Sequence, residues 1–269
     1  MSETKRPIFV CGHRKCGTTM LLNLLDGHPK LTVFPKDINV LYAYFPEYTT
    51  GSYTAKQREE RLRRVIFEDF RQFLQSEQIG AEVALKAIEQ RFFDRLNGSF
   101  DDIGTVLSSL IDAYAATRES GGRPVVLKET SIEIYAHELL QAFPQARFVH
   151  IIRDPRDNFG ALKAGVENYY SDLGETVKET LASLLERAGL GLRYAHLNRQ
   201  RYSSDRYYVI KFEELLADPE SETKALAEFL GVSFNSSLLR PTVLGAPTTG
   251  NSFDDREFDG LSDVNVGRW

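Results

Sequence analysis

The chain has 269 residues, of which 42% are hydrophobic and 26% charged, and this composition is typical of one α/β domain with a substantial core. The formal net charge of −5 argues against general nucleic-acid binding, so an anionic ligand must be held by locally placed cations. Two cysteines, Cys11 and Cys16, are too few for a disulfide framework, which favours a reducing compartment.

The N-terminal end reaches a predicted strand within a few residues, and no apolar run has the length of a membrane span. No internal repeat or low-complexity segment indicates a further domain. We therefore expect a single domain over 1–269, located in the cytoplasm, with no secretion signal and no membrane segment in this chain.

Residues 8–19, with the sequence IFVCGHRKCGTT, predict a buried strand that runs into a glycine-bearing loop and then a helix. In such a turn the backbone N–H groups, the positive end of the helix and a basic side chain all point at one place. The pattern therefore predicts a site for a phosphate-like anion.

The spacing of Gly12 and Gly17 is that of the nucleotide-triphosphate loop G-x-x-x-x-G-K-[ST], but Thr18 stands where that motif has lysine. The cations Arg14 and Lys15 lie inside the loop instead, before the second glycine. This arrangement disfavours a kinase or NTPase, which would also need an acidic Mg²⁺ holder at a strand end.

Further elements follow from hydrophobic periodicity and from the placement of glycine and proline. Strands are predicted at 31–34, 124–127, 147–152 and 207–211, and helices at 18–25, 133–143, 176–199 and from Pro219 to Gly231. A helical insertion over about 42–121, with helices at 58–75 and 100–117, is expected to cover the sheet, and residues 241–269 are expected to be mostly loop. The alternation predicts an α/β fold around a mostly parallel sheet.

The strand at 147–152 ends at Arg153, which begins a proline-containing turn with the sequence RDPRD. Because the carboxyl ends of parallel strands line one crevice, Arg153 is expected in the same cleft as the first loop.

These two motifs, in this order, resemble the 5′-phosphosulfate loop and the R-[DN]-P-x-[DE] turn of the sulfotransferases that use 3′-phosphoadenosine-5′-phosphosulfate (PAPS). The pattern is most similar to bacterial-type, carbohydrate and tyrosylprotein sulfotransferases. The resemblance implies a single three-layer domain that moves a sulfuryl group from PAPS to a hydroxyl or amine and releases 3′,5′-ADP. It also implies no metal, since no His/Cys cluster with ligand spacing is visible in the sequence.

The resemblance implies that PAPS contacts both motifs and two later segments. The residues concerned are Arg14, Lys15, Cys16, Gly17, Thr18, Thr19, Arg153, Phe212, Gly267 and Arg268. Two of the matching positions depart from the family: Ala161 replaces a usual serine, and Phe212 replaces a usual tyrosine. Because Ala161 has no hydroxyl, Lys163 or Asn158 could provide a polar group in its place.

Sulfuryl transfer needs a cation beside the departing oxygen and a base for the acceptor proton. Lys15 is the best candidate for the cation, and Arg14 is the next. By resemblance to relatives with a carboxylate after the H-P turn, Asp37 is the predicted base, with Lys128 orienting the acceptor and Glu129 as the alternative base.

The acceptor is expected to be a small molecule or a glycan, and nucleic acid is not an expected partner. The sequence leaves open the identity of the acceptor and the oligomeric state. A protein of the same fold that binds the nucleotide without catalysis is the alternative function.

Overall fold

The computed structural model of the chain describes residues 5–44, 53–76, 82–168, 176–251 and 257–267. Its centre is a parallel five-stranded sheet with the order β2-β3-β1-β4-β5. The strands are β1 (Ile8–Cys11), β2 (Thr32–Asp37), β3 (Val125–Lys128), β4 (Arg147–Ile152) and β5 (Tyr207–Lys211). All five were predicted, so the α/β class and the parallel sheet are confirmed.

Helices flank this sheet. They are α1 (Thr18–Asp26), α2 (Leu41–Tyr44), α3 (Ala55–Leu62), α4 (Asp69–Ser76), α5 (Glu82–Leu96), α6 (Ile103–Thr117), α7 (Ala136–Ala142), α8 (Pro155–Asn168), α9 (Val177–Arg201), α10 (Phe212–Ala217) and α11 (Pro219–Leu230). A π-helical turn joins α3 to α4, and a 3-10 turn at Ile132–Tyr135 precedes α7.

Side chains of β1 alternate between two buried cores, as the period of a strand requires. Phe9 and Cys11 belong to the core beneath the helical insertion, which also contains Phe67 of the π-helical turn. Ile8 and Val10 belong to the core on the other face, against α1 and α11. The sheet is therefore the middle of three layers.

The helical insertion contains α2 to α6. The predicted helices at 58–75 and 100–117 correspond to the α3–α4 segment and to α6. Helix α5 was not predicted, although its buried apolar residues have helical spacing: Leu85, Ile88, Phe92 and Leu96.

Two further segments differ from the prediction. The proline-containing turn after β4 leads directly into α8, because Pro155 occupies the first helical position, where its fixed φ is favourable and its missing N–H costs nothing. The tail expected to be loop contains two short antiparallel pairs, β6 (Thr242–Val243) with β7 (Ala246–Pro247) and β8 (Thr249–Asn251) with β9 (Glu257–Asp259).

Within the described residues, none of the helices combines the length and the apolar character that a bilayer crossing demands.

A buried hydroxyl ties the insertion to the sheet, and its removal should lower stability. Tyr114 of α6 is fully buried, and its hydroxyl donates a hydrogen bond to the carbonyl oxygen of Val33 at 2.6 Å. We expect Tyr114→Phe to lower the free energy of unfolding by about 1–2 kcal/mol, because the carbonyl is left without its donor. Urea unfolding followed by circular dichroism measures this.

Tyr208→Phe is the matched control, since Tyr208 is partly exposed and stacks on Phe229. A loss in the control as large as that in Tyr114→Phe would contradict the assignment of the effect to the buried hydrogen bond.

Candidate active site at the carboxyl edge of the sheet

The loop between β1 and α1 packs closely against Ile151 and Phe212, and two glycines of the loop make these contacts possible. Gly12 has φ +142°, and a Cβ there would lie 2.3 Å from the carbonyl oxygen of Ile151. Gly17 has φ +95°, and a Cβ there would lie 2.6 Å from the ring of Phe212. Only glycine allows both the backbone conformation and the close approach. Within the loop, the N–H of Cys16 donates to the carbonyl oxygen of His13 at 3.2 Å.

Helix α1 starts immediately after this loop and presents its N-terminal end to the cleft. Gly17 at its N-cap adopts a left-handed conformation and supplies no side-chain cap, and the first turn has no acidic residue. Thr18 is buried, whereas Thr19 is exposed. Backbone N–H groups at an uncapped helix start, together with the helix dipole, favour an anion.

Arg153 lies beside the loop, as predicted, and only 7% of its surface is exposed. Its Nη1 donates to the carbonyl oxygen of Lys15 at 3.0 Å, and its Nη2 donates to that of Asn265 at 2.6 Å. Its guanidinium carbon lies 4.5 Å from the centre of the Phe212 ring. The buried Nε has no hydrogen-bond partner within the described part of the chain, so this group can still donate to an anion.

Helix α8 packs against the loop and holds it by a hydrogen bond. The side-chain amide of Asn158 donates to the carbonyl oxygen of Arg14 at 2.8 Å and lies 3.6 Å from the sulfur of Cys16. Burial raises the pKa of Cys16 to about 12, so this residue is a neutral thiol at physiological pH. Ala161 is buried on the same helix. Asn158 therefore positions the loop backbone, whereas Lys163 is exposed.

The two loop cations are half-buried. Lys15 adopts φ +64°, and burial lowers the pKa of its amine. Burial, together with the positive charge of Arg14, lowers the pKa of His13 to about 4, so His13 is neutral at physiological pH.

A C-terminal segment contacts Arg153 and the first turn of α8. The backbone N–H of Gly267 donates to a carboxylate oxygen of Asp157 at 2.8 Å, and the carbonyl of Asn265 accepts from Arg153. Arg268, also predicted to bind the cofactor, lies outside the described residues. Asp157 and Asn265 themselves were not predicted as site residues, although the resemblance placed the neighbouring Gly267 and Arg268 at the cofactor together with Arg153.

Asp37 and Lys128, predicted to act together, form an ion pair at the ends of β2 and β3. Their Oδ2 and Nζ atoms are 2.6 Å apart, and the side chains are 29% and 4% exposed. Lys128 Nζ also donates to the hydroxyl of Thr19 at 2.8 Å. The other oxygen of Asp37 lies 3.3 Å from both the backbone nitrogen and the hydroxyl of Thr130. One buried cation thus joins the predicted base to the start of α1.

Glu129, the alternative base, points into the protein and is 1% exposed. Its Oε1 accepts a hydrogen bond from the backbone N–H of Leu41 at 2.9 Å, at the first residue of α2. Burial raises the pKa of Glu129 well above its usual range, and the negative charge of Asp37 raises it further.

A second polar cluster lies beneath the loop. Cys11, Glu133 and His150 are buried, and one donor atom from each lies within 4.8 Å of the others. Burial raises the pKa of Glu133 to about 7 and lowers that of His150 to about 3. These residues come from three separate elements, so the linear spacing that is typical of metal ligands does not reveal them.

Comparison with known proteins gives a family match over most of the chain. The model of the sulfotransferase family matches residues 7–236. Two curated relatives, omega-hydroxy-beta-dihydromenaquinone-9 sulfotransferase Stf3 of Mycobacterium bovis and of Mycobacterium tuberculosis, are each 28% identical over 120 residues. That match spans 41% of this chain but only 29% of either relative.

Solved structures show the same fold at low sequence identity. The sulfotransferase domain from the curacin biosynthetic pathway has a TM-score of 0.63 and 18% identity, with 100% of this chain and 91% of that chain covered. The sulfotransferase domain of the Synechococcus PCC 7002 olefin synthase has a TM-score of 0.51 and 22% identity, with coverages of 90% and 79%.

The close approach at Gly17 predicts a specific loss of stability. In Gly17→Ala the alanine must keep a left-handed backbone conformation, and its methyl group must displace the Phe212 ring. We expect it to lower the free energy of unfolding by more than the ~1–2 kcal/mol that left-handed strain alone costs. Chemical denaturation measures the loss.

Gly98→Ala separates the two effects, because Gly98 also has a positive φ, of +80°, but its Cβ would meet nothing within 4 Å. Equal losses in the two variants would show that contact with Phe212 does not constrain the loop.

Proposed function

Since this chain belongs to the sulfotransferase family, we propose that it transfers a sulfuryl group from PAPS to a hydroxyl or amine of a small-molecule or glycan acceptor, releasing 3′,5′-ADP. The observation that carries the proposal is the position of Arg153. This buried cation lies between the phosphate loop, the Phe212 ring and the C-terminal segment, with one N–H still able to donate. A 3′-phosphate is the group that distinguishes PAPS from ATP and from 5′-AMP and that such a cation would select.

The 5′-phosphosulfate fits the loop at residues 12–19. The N–H groups at the start of α1 and the backbone of the loop can donate to its oxygens, as they do for other anions at helix N-termini. Phe212, which lies between Gly17 and Arg153, forms part of the wall between the two phosphate positions.

In the transfer step the acceptor oxygen or nitrogen forms a bond to sulfur while the bond between sulfur and the bridging oxygen of PAPS breaks. Negative charge therefore develops on the bridging oxygen, which leaves with 3′,5′-ADP. We assign its stabilisation to the Lys15 amine and the N–H groups of α1, which act by fixed positive charge. The chain's own residues thus provide positioning and charge stabilisation, the two main contributions to this type of transfer.

Asp37 is our choice for the base that accepts the acceptor proton. Of the two candidate carboxylates it is the more exposed, whereas Glu129 is 1% exposed and engaged with the backbone of α2. Lys128 fixes Asp37 in one orientation and holds Thr19 at the start of α1, so the acceptor and the phosphosulfate are brought to a common cation. We assign Glu129 to positioning α2, the first helix of the insertion that covers the acceptor side.

A kinase or NTPase fits these positions poorly. The strand ends nearest the loop carry Lys128 and Arg153, where an acidic residue would be needed to hold Mg²⁺.

Two further observations bear on activity and on compartment. The Asp37–Lys128 pair supports an active enzyme over a protein that only binds nucleotide. Both cysteines are free and buried, which fits the reducing environment of the cytoplasm.

Calorimetric titration in the presence of EDTA tests the cofactor. We expect wild-type protein to bind 3′,5′-ADP and Arg153→Ala to bind it about 10–100-fold more weakly, since charged hydrogen bonds contribute about 1.5–3 kcal/mol. Affinity for 5′-AMP, which lacks the 3′-phosphate, should fall less, because it is affected only through the lost bond from Arg153 to the Lys15 carbonyl of the loop. Arg156→Ala is the matched control, because Arg156 is exposed and paired with Asp154.

Equal weakening of 3′,5′-ADP and 5′-AMP in Arg153→Ala would contradict the assignment of the 3′-phosphate. Binding of ATP alone, and only after Mg²⁺ is restored, would contradict PAPS use altogether.

The base is tested by release of 3′,5′-ADP from PAPS with a panel of alcohols, phenols and sugars. We expect Asp37→Asn to lower kcat by about 10²–10⁴-fold while the affinity for 3′,5′-ADP is largely retained, because the variant loses proton acceptance and the ion pair with Lys128 but no group assigned to the nucleotide. Glu129→Gln should retain most of the turnover. The reverse result, with activity abolished in Glu129→Gln and kept in Asp37→Asn, would identify Glu129 as the base.

A further inference from the structure

Three side chains that play no part in the proposed transfer meet beneath the phosphate loop. Cys11 ends β1, and the register of β1 with β4 places it opposite His150. Paired residues on adjacent strands point to the same face of a sheet, and Glu133, from the 3-10 turn after β3, comes close to both. The sulfur, the ring nitrogen and the carboxylate oxygen all lie within 4.8 Å of one another.

The polar atoms of Glu133 and His150 that face this cluster are poorly paired within the described part of the chain. The Nε2 of His150 is buried without a hydrogen bond to any described residue and lies 4.0 Å from Oε1 of Glu133. The buried carboxylate of Glu133 is approached by the backbone N–H groups of Gly12 and of Glu133 itself, and it has no side-chain donor among the described residues. A buried polar group without a partner is destabilising. A buried, unpaired histidine nitrogen that faces a carboxylate and a thiol within 4.8 Å therefore indicates that something else is bound between them.

A hydrogen-bond network fixes the ring of His150. Its Nδ1 lies 2.7 Å from the hydroxyl of Tyr207, and the amide of Asn198 donates to that hydroxyl at 3.2 Å and to the carbonyl oxygen of Glu133 at 2.9 Å. A metal-bound histidine characteristically has its second nitrogen held in this way, which orients the first towards the ion.

Helix α9 packs directly against the cluster. Gly191 packs so closely that a Cβ there would lie 3.3 Å from Oε1 of Glu133 and 3.4 Å from the Cβ of His13. The donors are therefore enclosed by the sheet, the 3-10 turn and α9. This enclosure is typical of a structural ion, in contrast to an exchangeable catalytic one.

We propose that Cys11, Glu133 and His150 bind one divalent transition-metal ion, best fitted by Zn²⁺, which ties β1, β4 and the turn after β3 together beneath the loop. Thiolate, imidazole and carboxylate are the three donor types that zinc accepts. Two anionic donors and a dication sum to zero charge, so burial of the assembled site is not penalised as burial of either anion alone would be. Contraction of the donor separations by about 1 Å or less would allow metal bonds of about 2.0–2.3 Å.

This proposal is independent of the PAPS assignment and is tested on the whole chain. Untagged protein purified without chelators, incubated with Zn²⁺ and freed of excess, should contain about one zinc per chain by plasma mass spectrometry. With Co²⁺ instead, we expect a thiolate-to-cobalt charge-transfer band in the near ultraviolet, together with visible d–d bands. Both measurements use wild-type protein, so they do not depend on whether a variant folds.

Variants then locate the ion. Cys11→Ser should abolish the charge-transfer band, and His150→Gln should weaken zinc binding at least about tenfold in competition with a chromophoric chelator. Cys16→Ser and His137→Gln, which alter residues outside the cluster, should keep the stoichiometry.

Wild-type protein with less than about 0.1 zinc per chain and no cobalt–thiolate band would overturn the proposal and identify the cluster as a hydrogen-bonded one. Disappearance of the band in Cys16→Ser, with retention in Cys11→Ser, would overturn it equally.

Discussion

The structure depends on the close approach of the first loop to the end of β4 and to Phe212. Gly12 and Gly17 allow it, since any side chain at either position would overlap the Ile151 carbonyl or the Phe212 ring. The approach directs the start of α1 towards the cleft and brings the loop within reach of Arg153, whose guanidinium binds the Lys15 carbonyl. One packing constraint thus brings together both halves of the candidate anion site.

Lys128 joins this anion site to the acceptor side. Its buried amine contacts both the carboxylate of Asp37 and the hydroxyl of Thr19. The end of β3 is thereby connected to the end of β2 and to the start of α1. Next to it, Glu129 extends the connection to α2 and so to the helical insertion. The arrangement gives the proposed base a fixed orientation relative to the loop, which is what an in-line transfer between two substrates requires.

Much of this was predictable from sequence, because the determinants are local. Buried strands, the two glycines and the strand-end Arg153 are visible in short patterns. Helix α5 was missed despite its spacing, and α8 was missed because a proline after a strand was interpreted as a turn. The resemblance brought the C-terminal segment to the Arg153 side of the site, but not the individual contact with Asn265. That contact and the meeting of Cys11 with His150 join chain segments far apart, which no short pattern specifies.

The central claim is that one cleft holds both phosphates of PAPS, and a crystal structure of the protein with 3′,5′-ADP tests it most directly. The account predicts the 5′-phosphate on the backbone N–H groups at the start of α1, and the 3′-phosphate within hydrogen-bond distance of Arg153. A nucleotide bound elsewhere, or one whose 3′-phosphate faces away from Arg153, would contradict it.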